Sequence, residues 1–102
     1  MRTFVTAVFK AKAGSEAEVE RIFSGMVRPT HERDQGCITY ALHRSQDDPR
    51  TFVFMEEWES RELLDAHLVK DHIMEGLAAL EGHLDARDIM ILERIEGGDV
   101  EG

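Results

Sequence analysis

Apolar and polar positions alternate with a period of two in four stretches of the chain, as expected for β-strands with two distinct faces. These stretches cover residues 3–12, 37–44, 51–58 and 86–95. In the two longer intervals between them, apolar residues recur every three or four positions, as on one face of an α-helix. The resulting order, βαββαβ, predicts an α+β ferredoxin-like fold with an antiparallel sheet and helices on one of its sides.

The first helix is predicted from Ser15 to about Asp34. Ser15 and Glu18 form a capping-box pattern, in which two side chains satisfy free amide groups at a helix start. Pro29 is expected to kink this helix and not to end it, because the apolar pattern continues beyond it. The apolar stripe of this helix consists of Val19, Ile22, Phe23, Met26, Val27 and Thr30.

The second helical interval begins at Ser60, a favoured N-cap residue. A break near Lys70 and Asp71 is expected to divide it into two pieces, and Gly82 suits the turn after the second piece. Residues 1–96 are predicted to form one domain. Residues 97–102 lack apolar periodicity and are predicted to be a mobile tail.

Both faces of the predicted strands are apolar, although helices on one side cover only one sheet face. An uncovered apolar face of this size exceeds what monomeric proteins usually expose. The pattern therefore predicts a homodimer that packs sheet against sheet. The two sets of apolar residues are Phe4, Val8, Val53 and Met55 on one face and Val5, Phe9, Phe52 and Phe54 on the other.

The strand at 51–58 carries the most unusual pattern in the chain. Its alternation puts Glu56 on the same face as Phe52, Phe54 and Trp58. A carboxylate on an apolar face needs a partner or a cavity, because burying it alone is costly. The helix that follows brings His67 towards the end of this strand, so Trp58, Glu56 and His67 are predicted to form a site.

The charge, the length of the apolar runs and the cysteine count limit the kinds of binding partner and compartment that the chain suits. The chain has a formal net charge of −9 and no stripe of Lys or Arg, which argues against binding to nucleic acids or to anionic membranes. No stretch approaches the roughly 20 apolar residues of a membrane span. A single cysteine, Cys37, excludes an internal disulfide and fits a reducing compartment, so a cytoplasmic protein is expected.

The residue pattern resembles the antibiotic biosynthesis monooxygenase family of the dimeric α/β-barrel superfamily, including its quinol monooxygenase-like members. The resemblance covers about residues 3–95. It is carried by Lys12-Ala13-Gly14, Gly36-Cys37-Ile38 with Tyr40, Asp48-Pro49, Glu56-Glu57-Trp58, Ser60-Arg61-Glu62, His67 and His72. It implies a homodimer with a pocket between sheet and helices in each subunit, where a quinol or anthrone-like aromatic is oxidised by O₂ without a cofactor.

Other functions of the superfamily remain open at this stage. The resemblance also extends to haem-degrading relatives, which use an Asn on the first strand together with a Trp and a His. Here the corresponding position falls on Ala7, and neither Ala7 nor Thr6 is Asn, so haem is disfavoured as a cofactor. A non-catalytic ligand-binding or haem-binding barrel is the alternative, as is an isomerase, although no basic phosphate cradle is evident.

His67 and Trp58 are the predicted catalytic residues. An imidazole titrates near neutrality and suits a base that takes a phenolic or C–H proton. The alternative for His67 is a core histidine hydrogen-bonded to Glu56 or to a backbone carbonyl. Trp58 is either core or a flat wall for a planar substrate, with its indole N–H free to donate. The predicted substrate-binding residues are Glu56, Phe54, Tyr40 and His72.

No metal site is predicted. His72 follows His67 by five residues, which is about 140° around an ideal helix, so the two do not share a face and no third ligand is in register. His72 reaches the pocket only if the break near Lys70 turns it there. The alternation of residues along the second strand does not decide whether the Tyr40 side chain points towards the pocket or towards the dimer interface.

Overall fold

The computed structural model describes residues 1–98, and its seven elements follow the predicted order. They are β1 (Thr3–Ala11), α1 (Glu16–Arg33), β2 (Cys37–Arg44), β3 (Thr51–Trp58), α2 (Arg61–Leu68), α3 (Asp71–Ala79) and β4 (Leu84–Leu92). The strands form one antiparallel sheet in the order β2-β3-β1-β4. The predicted ferredoxin-like α+β fold is therefore confirmed. Part of the predicted mobile tail, residues 99–102, lies outside the described residues.

Element boundaries differ from the prediction mainly in β4, which begins and ends earlier than residues 86–95. The helix α1 runs through Pro29 to Arg33, so the predicted continuation past the proline is confirmed. The capping box is wrong, because the Ser15 side chain caps no amide of α1 and forms a 3.0 Å hydrogen bond with Nδ1 of His83. Ser60, in contrast, caps α2 as predicted by accepting from the backbone N–H of Leu63.

One face of the sheet packs against the helices and forms the core. The alternating residues of β1 and β3 supply its floor, and the predicted stripe of α1 covers it. Burying such apolar side chains is the main favourable term in folding. The core includes Val5, Ala7, Phe9, Val19, Ile22, Phe23, Met26, Phe52, Phe54, Trp58, Leu64 and Ile73.

The opposite sheet face carries the second apolar set and is not covered by any helix within residues 1–98. Phe4, Val8 and Val53 are half-buried there, whereas Met55 is 49% exposed. On β4, Met90 and Leu92 pair with residues of this face and are each 43% exposed. The two-sided apolar pattern predicted for the strands is thus present in the fold.

Gly36 brings α2 close to the loop between α1 and β2. It has a φ of +82°, which favours glycine, and a Cβ placed on it would lie 2.4 Å from Leu63 Cδ1. The backbone N–H of Glu59 also donates to the Gly36 carbonyl at 2.9 Å. This close approach sets α2 beside the end of α1, where the site lies.

Candidate functional site

Trp58 and His67 meet under the helical layer, as the sequence predicts. Their ring centroids are 4.6 Å apart, and both side chains are buried, with His67 3% exposed and Trp58 fully enclosed. Trp58 is the last residue of β3, and Ser60 starts α2 two residues later, so His67 returns over the strand end after nearly two helical turns. The short strand-to-helix connection therefore positions both rings.

Asp34 is the carboxylate that bonds His67. Its Oδ2 atom lies 2.6 Å from His67 Nδ1 and 2.9 Å from His72 Nε2. Because an ionised carboxylate can only accept, both imidazole nitrogens donate, and Nδ1 of His67 carries a proton. The alternative of a His67–Glu56 hydrogen bond is wrong.

The sequence interpretation assigned Asp34 only to the end of the helix and missed its role in the site. One signal was present: Asp34 follows Met26 and Thr30 at intervals of four, so it continues the buried stripe of α1. A carboxylate at the next position of an apolar stripe must find donors, by the same reasoning that singled out Glu56.

His72 reaches the site because the helix breaks as predicted. The helix α2 ends at Leu68 and α3 begins at Asp71, so the ideal-helix angle between the two histidines does not apply. Their ring centroids are 6.2 Å apart, on either side of Asp34. Asp34, His67 and His72 therefore converge, and the expectation that no third ligand accompanies the two histidines is wrong.

Glu56 is the second carboxyl group of the site. Its Oε1 atom accepts a 2.9 Å hydrogen bond from the indole Nε1–H of Trp58, so that N–H is not free to donate to a ligand, contrary to the prediction. Burial raises the pKa of Glu56 to about 7, and the bond from Trp58 opposes the rise. Glu56 therefore exchanges a proton near neutral pH.

The pKa of His67 is shifted in the direction that keeps the imidazole neutral. Burial lowers the pKa of His67, with the nearby His72 acting in the same direction and Asp34 opposing it. No residue among 1–98 hydrogen-bonds Nε2 of His67. A neutral ring with its proton on Nδ1 thus presents Nε2 as an acceptor.

The side chain of Tyr40 points towards the core and not towards the uncovered sheet face. The register of β2 against β3 shifts between Cys37 and Thr39, and Tyr40 then pairs with Glu56 on the helix-covered face. Its ring centroid lies 5.2 Å from that of His67 and 4.9 Å from that of Phe54. Burial, reinforced by the nearby Glu56, raises the pKa of Tyr40, so its hydroxyl stays protonated.

A cavity of about 80 Å³ lies between the sheet and the helices beside these side chains. His67, Tyr40, Phe54 and Glu56 line it, whereas Trp58 and His72 do not. Cavities that bind small molecules usually measure about 300–1,000 Å³, so an aromatic ligand requires this one to widen. Its more exposed lining residues are Leu68, Leu77, Ile89 and Ile91, on α2, α3 and β4.

The arrangement combines a buried acceptor nitrogen, a carboxyl group that titrates near pH 7 and an aromatic cavity wall. The sequence profile described as antibiotic biosynthesis monooxygenase matches residues 3–79 of the chain. This match spans well over half of the 102 residues, and the chain belongs to that family.

Solved structures agree with this assignment. A protein described as an antibiotic biosynthesis monooxygenase is 25% identical, with 92% of this chain and 99% of that chain covered and a TM-score of 0.85. PA3566 from Pseudomonas aeruginosa is also 25% identical, with 93% and 95% covered and a TM-score of 0.86. Rv0793 from Mycobacterium tuberculosis, at 23% identity, shares the fold, with 97% and 100% covered and a TM-score of 0.88. No curated protein matches the sequence. Within residues 1–98, no helix meets the length and apolarity needed to cross a bilayer.

Proposed function

We propose that the chain is a cofactor-independent monooxygenase that oxidises a small electron-rich aromatic, such as a quinol or an anthrone, with O₂ as co-substrate. The observation that carries the proposal is the Asp34–His67 pair. Its 2.6 Å hydrogen bond holds the imidazole, which lines the cavity and has its second nitrogen free of protein partners within residues 1–98. Family membership supports monooxygenase chemistry in general terms.

His67 acts as the base. Asp34 holds the proton on Nδ1, so Nε2 accepts a proton from the substrate, and the imidazolium that forms is stabilised by the carboxylate. A base positioned in this way contributes about 10²–10⁴-fold to a rate. The lowered pKa of His67 favours the neutral, competent form at pH 7.

The reaction balances without a further reductant. For an anthrone-like methylene, loss of one C–H proton gives a carbanion that transfers an electron to O₂, and the radical pair combines to a peroxide. Loss of the second C–H proton then breaks the O–O bond, which leaves a carbonyl on carbon and releases water. The sum is CH₂ + O₂ → C=O + H₂O. With a quinol, the first proton comes from a phenolic O–H.

Glu56 supplies the acid for the second half of this sequence. Its pKa of about 7 leaves a substantial protonated fraction at neutral pH, so it can protonate the oxygen that departs as water. Trp58 holds one of its oxygens in place. In this proposal Trp58 acts through Glu56, while the aromatic walls for the substrate are Tyr40 and Phe54.

His72 was predicted to bind the substrate directly. It lies behind Asp34 and does not line the cavity, so we assign it the role of holding Asp34 against His67. No cofactor is required by this chemistry. Haem is larger than the proposed aromatic substrates, so it would require the cavity of about 80 Å³ to widen further than they do.

We further propose a homodimer formed by the uncovered sheet faces. The exposed Met55, Met90 and Leu92 and the half-buried Phe4 and Val53 give this face an apolar character typical of an interface. Cytoplasmic location, expected from the single cysteine, remains a prediction.

The test uses metal-stripped protein with a panel of hydroquinones and anthrones. Oxygen uptake and incorporation of one atom from ¹⁸O₂ are expected, and His67→Gln should lower the rate about 10²–10⁴-fold. His83→Gln is the matched control, because His83 lies between α3 and β4, bonds Ser15 and does not line the cavity. Binding of these aromatics in a thermal-shift assay without any oxygen uptake would replace the proposal with that of a ligand-binding barrel.

A further inference from the structure

We propose that Asp34, His67 and His72 form a binding site for a divalent transition metal such as Zn²⁺. Their three ligand atoms lie within 4.8 Å of one another, although they come from the C-cap of α1, from α2 and from α3. Two imidazole nitrogens and one carboxylate oxygen are a donor set that suits Zn²⁺, Fe²⁺, Ni²⁺ and Cu²⁺.

A second observation points to a missing partner. The Asp34 side chain is only 1% exposed, and its Oδ1 atom has no hydrogen-bond partner within residues 1–98. A buried carboxylate oxygen without a partner is costly, because it has lost its hydration and gained nothing in exchange. No Lys or Arg among the described residues forms an ion pair with Asp34, so a divalent cation would also compensate its charge.

Metal binding requires the three ligand atoms to move from hydrogen-bond to coordination distances. With bonds of about 2.0–2.1 Å, neighbouring ligands of a tetrahedral metal lie about 3.3 Å apart. The oxygen–nitrogen distances of 2.6 and 2.9 Å are hydrogen-bond lengths, so each would lengthen by less than about 1 Å. The two imidazole nitrogens lie within 4.8 Å of each other and would approach by up to about 1.5 Å. Asp34 Oδ1 or a water would occupy the remaining position.

A surface groove between α1 and α3 reaches the site at His72. A groove of about 370 Å³ is lined by His72, Pro29, Arg33, Glu75 and Gly76. Glu75 lies one turn beyond His72 and offers a carboxylate at the groove surface, while Arg33 opposes cation approach. Because His72 lines this groove and not the aromatic cavity, a metal would arrive without crossing the substrate space.

Metal occupancy has a consequence that rests on the proposed function. A metal on Nδ1 takes the place of the proton there, so the neutral ring of His67 carries its proton on Nε2 instead. That nitrogen then donates and cannot accept a proton from a substrate. The metal-bound and base-competent states exclude each other, and the metal is expected to inhibit.

Binding is tested first, without reference to activity. Co²⁺ titration of metal-stripped protein should give one equivalent per chain with visible ligand-field absorption, and Zn²⁺ should displace it. His72→Gln should weaken binding at least tenfold, about the effect of losing even an outer partner of a metal site. His83→Gln should bind as the unaltered protein does. X-ray absorption of the unaltered Zn²⁺ form should show two imidazoles.

Absence of stoichiometric binding, equal affinity of His72→Gln, or a spectrum with fewer than two imidazoles would overturn the site. Inhibition is tested separately, by adding Zn²⁺ and then a chelator during oxygen uptake. Full activity with the metal bound would overturn the inhibitory role alone. A chain that binds Co²⁺ but never consumes oxygen would contradict the proposed oxygenation and leave the metal site standing.

Discussion

A buried carboxyl group, Asp34, and a half-buried one, Glu56, flank the Trp58–His67 contact, and their surroundings differ. Asp34 accepts from two imidazoles and lies at the end of α1, whereas Glu56 accepts from one indole N–H on β3. Burial raises the pKa of Glu56 to about 7. In the proposed function these two surroundings separate two tasks, since Asp34 would orient the base and Glu56 would carry the exchangeable proton.

The largest effect of a change to either carboxyl group is expected from Asp34→Asn. The amide can present its NH₂ to Nδ1 of His67, which places the ring proton on Nε2 and removes the acceptor. The oxidation rate should fall by up to about 10⁴-fold and by no more than in His67→Gln, because Asp34 acts through His67. Steady-state oxygen uptake measures this. Asp65→Asn is the control, because Asp65 is exposed and its ion pair within residues 1–98 is with Arg61.

Glu56→Gln should change how stability depends on pH. Because the pKa of Glu56 is higher in the folded state than in the unfolded chain, its protonation stabilises the fold below pH 4.5. This contribution is lost as the pH rises through about 7. The loss is on the order of 3 kcal/mol. Glutamine still accepts from Trp58 but does not titrate.

Denaturant unfolding at pH 4.5 and pH 8, at one protein concentration, measures this difference. Unaltered protein should lose more stability between the two than Glu56→Gln does, and the difference isolates Glu56 from other titrating groups. Glu59→Gln, an exposed neighbour, should follow the unaltered protein. Parallel curves for Glu56→Gln and unaltered protein would show that burial does not shift this carboxyl group.

The pH dependence of kcat/KM should be bell-shaped. The acid limb reflects protonation of His67 and lies below its ordinary value of 6.5, because burial lowers the pKa of His67. The alkaline limb reflects Glu56, with a midpoint near 7 and a fall of about tenfold per pH unit beyond it. Glu56→Gln should lose the alkaline limb and keep the acid limb. An unchanged alkaline limb would assign the acid to another group.

A smaller effect is expected from Gly76→Ala, which changes the space around the cavity. A Cβ on Gly76 would lie 1.9 Å from Met26 Cε, the far end of a flexible side chain. Met26 lines the cavity, so it should move into it and exclude larger substrates. The ratio of kcat/KM for a three-ring to a one-ring substrate should fall about threefold to tenfold. Gly25→Ala is the control, as nothing lies within 4 Å of a Cβ there.

The sequence predicted the fold well, because strand and helix periods are local properties. The order of elements follows from the periods along the chain, and the break near Lys70 and the meeting of Trp58 with His67 follow from spacing along one β–α unit. The carboxylate that bonds His67 was not predicted, since Asp34 comes from another unit, 33 positions away. Its contact with α2 depends on the close approach at Gly36, which no period encodes.

Two other side-chain directions also depended on details outside the periodic pattern. Tyr40 turns to the core because β2 shifts its register after Cys37, and a single shifted residue reverses the faces of a strand. Ser15 does not cap α1, because its side chain hydrogen-bonds His83 in the segment before β4. Both outcomes require knowledge of which distant segments become neighbours.

The central claim is that Asp34 fixes His67 as a neutral base with its free nitrogen in the cavity. Nitrogen NMR of ¹⁵N-histidine-labelled, metal-stripped protein at pH 7 tests it most directly, with His67 assigned by comparison with His67→Gln. The account predicts a neutral ring protonated on Nδ1, and movement of that proton to Nε2 in Asp34→Asn. A ring that carries its proton on Nε2 in the unaltered protein, or that is doubly protonated at pH 7, would contradict it.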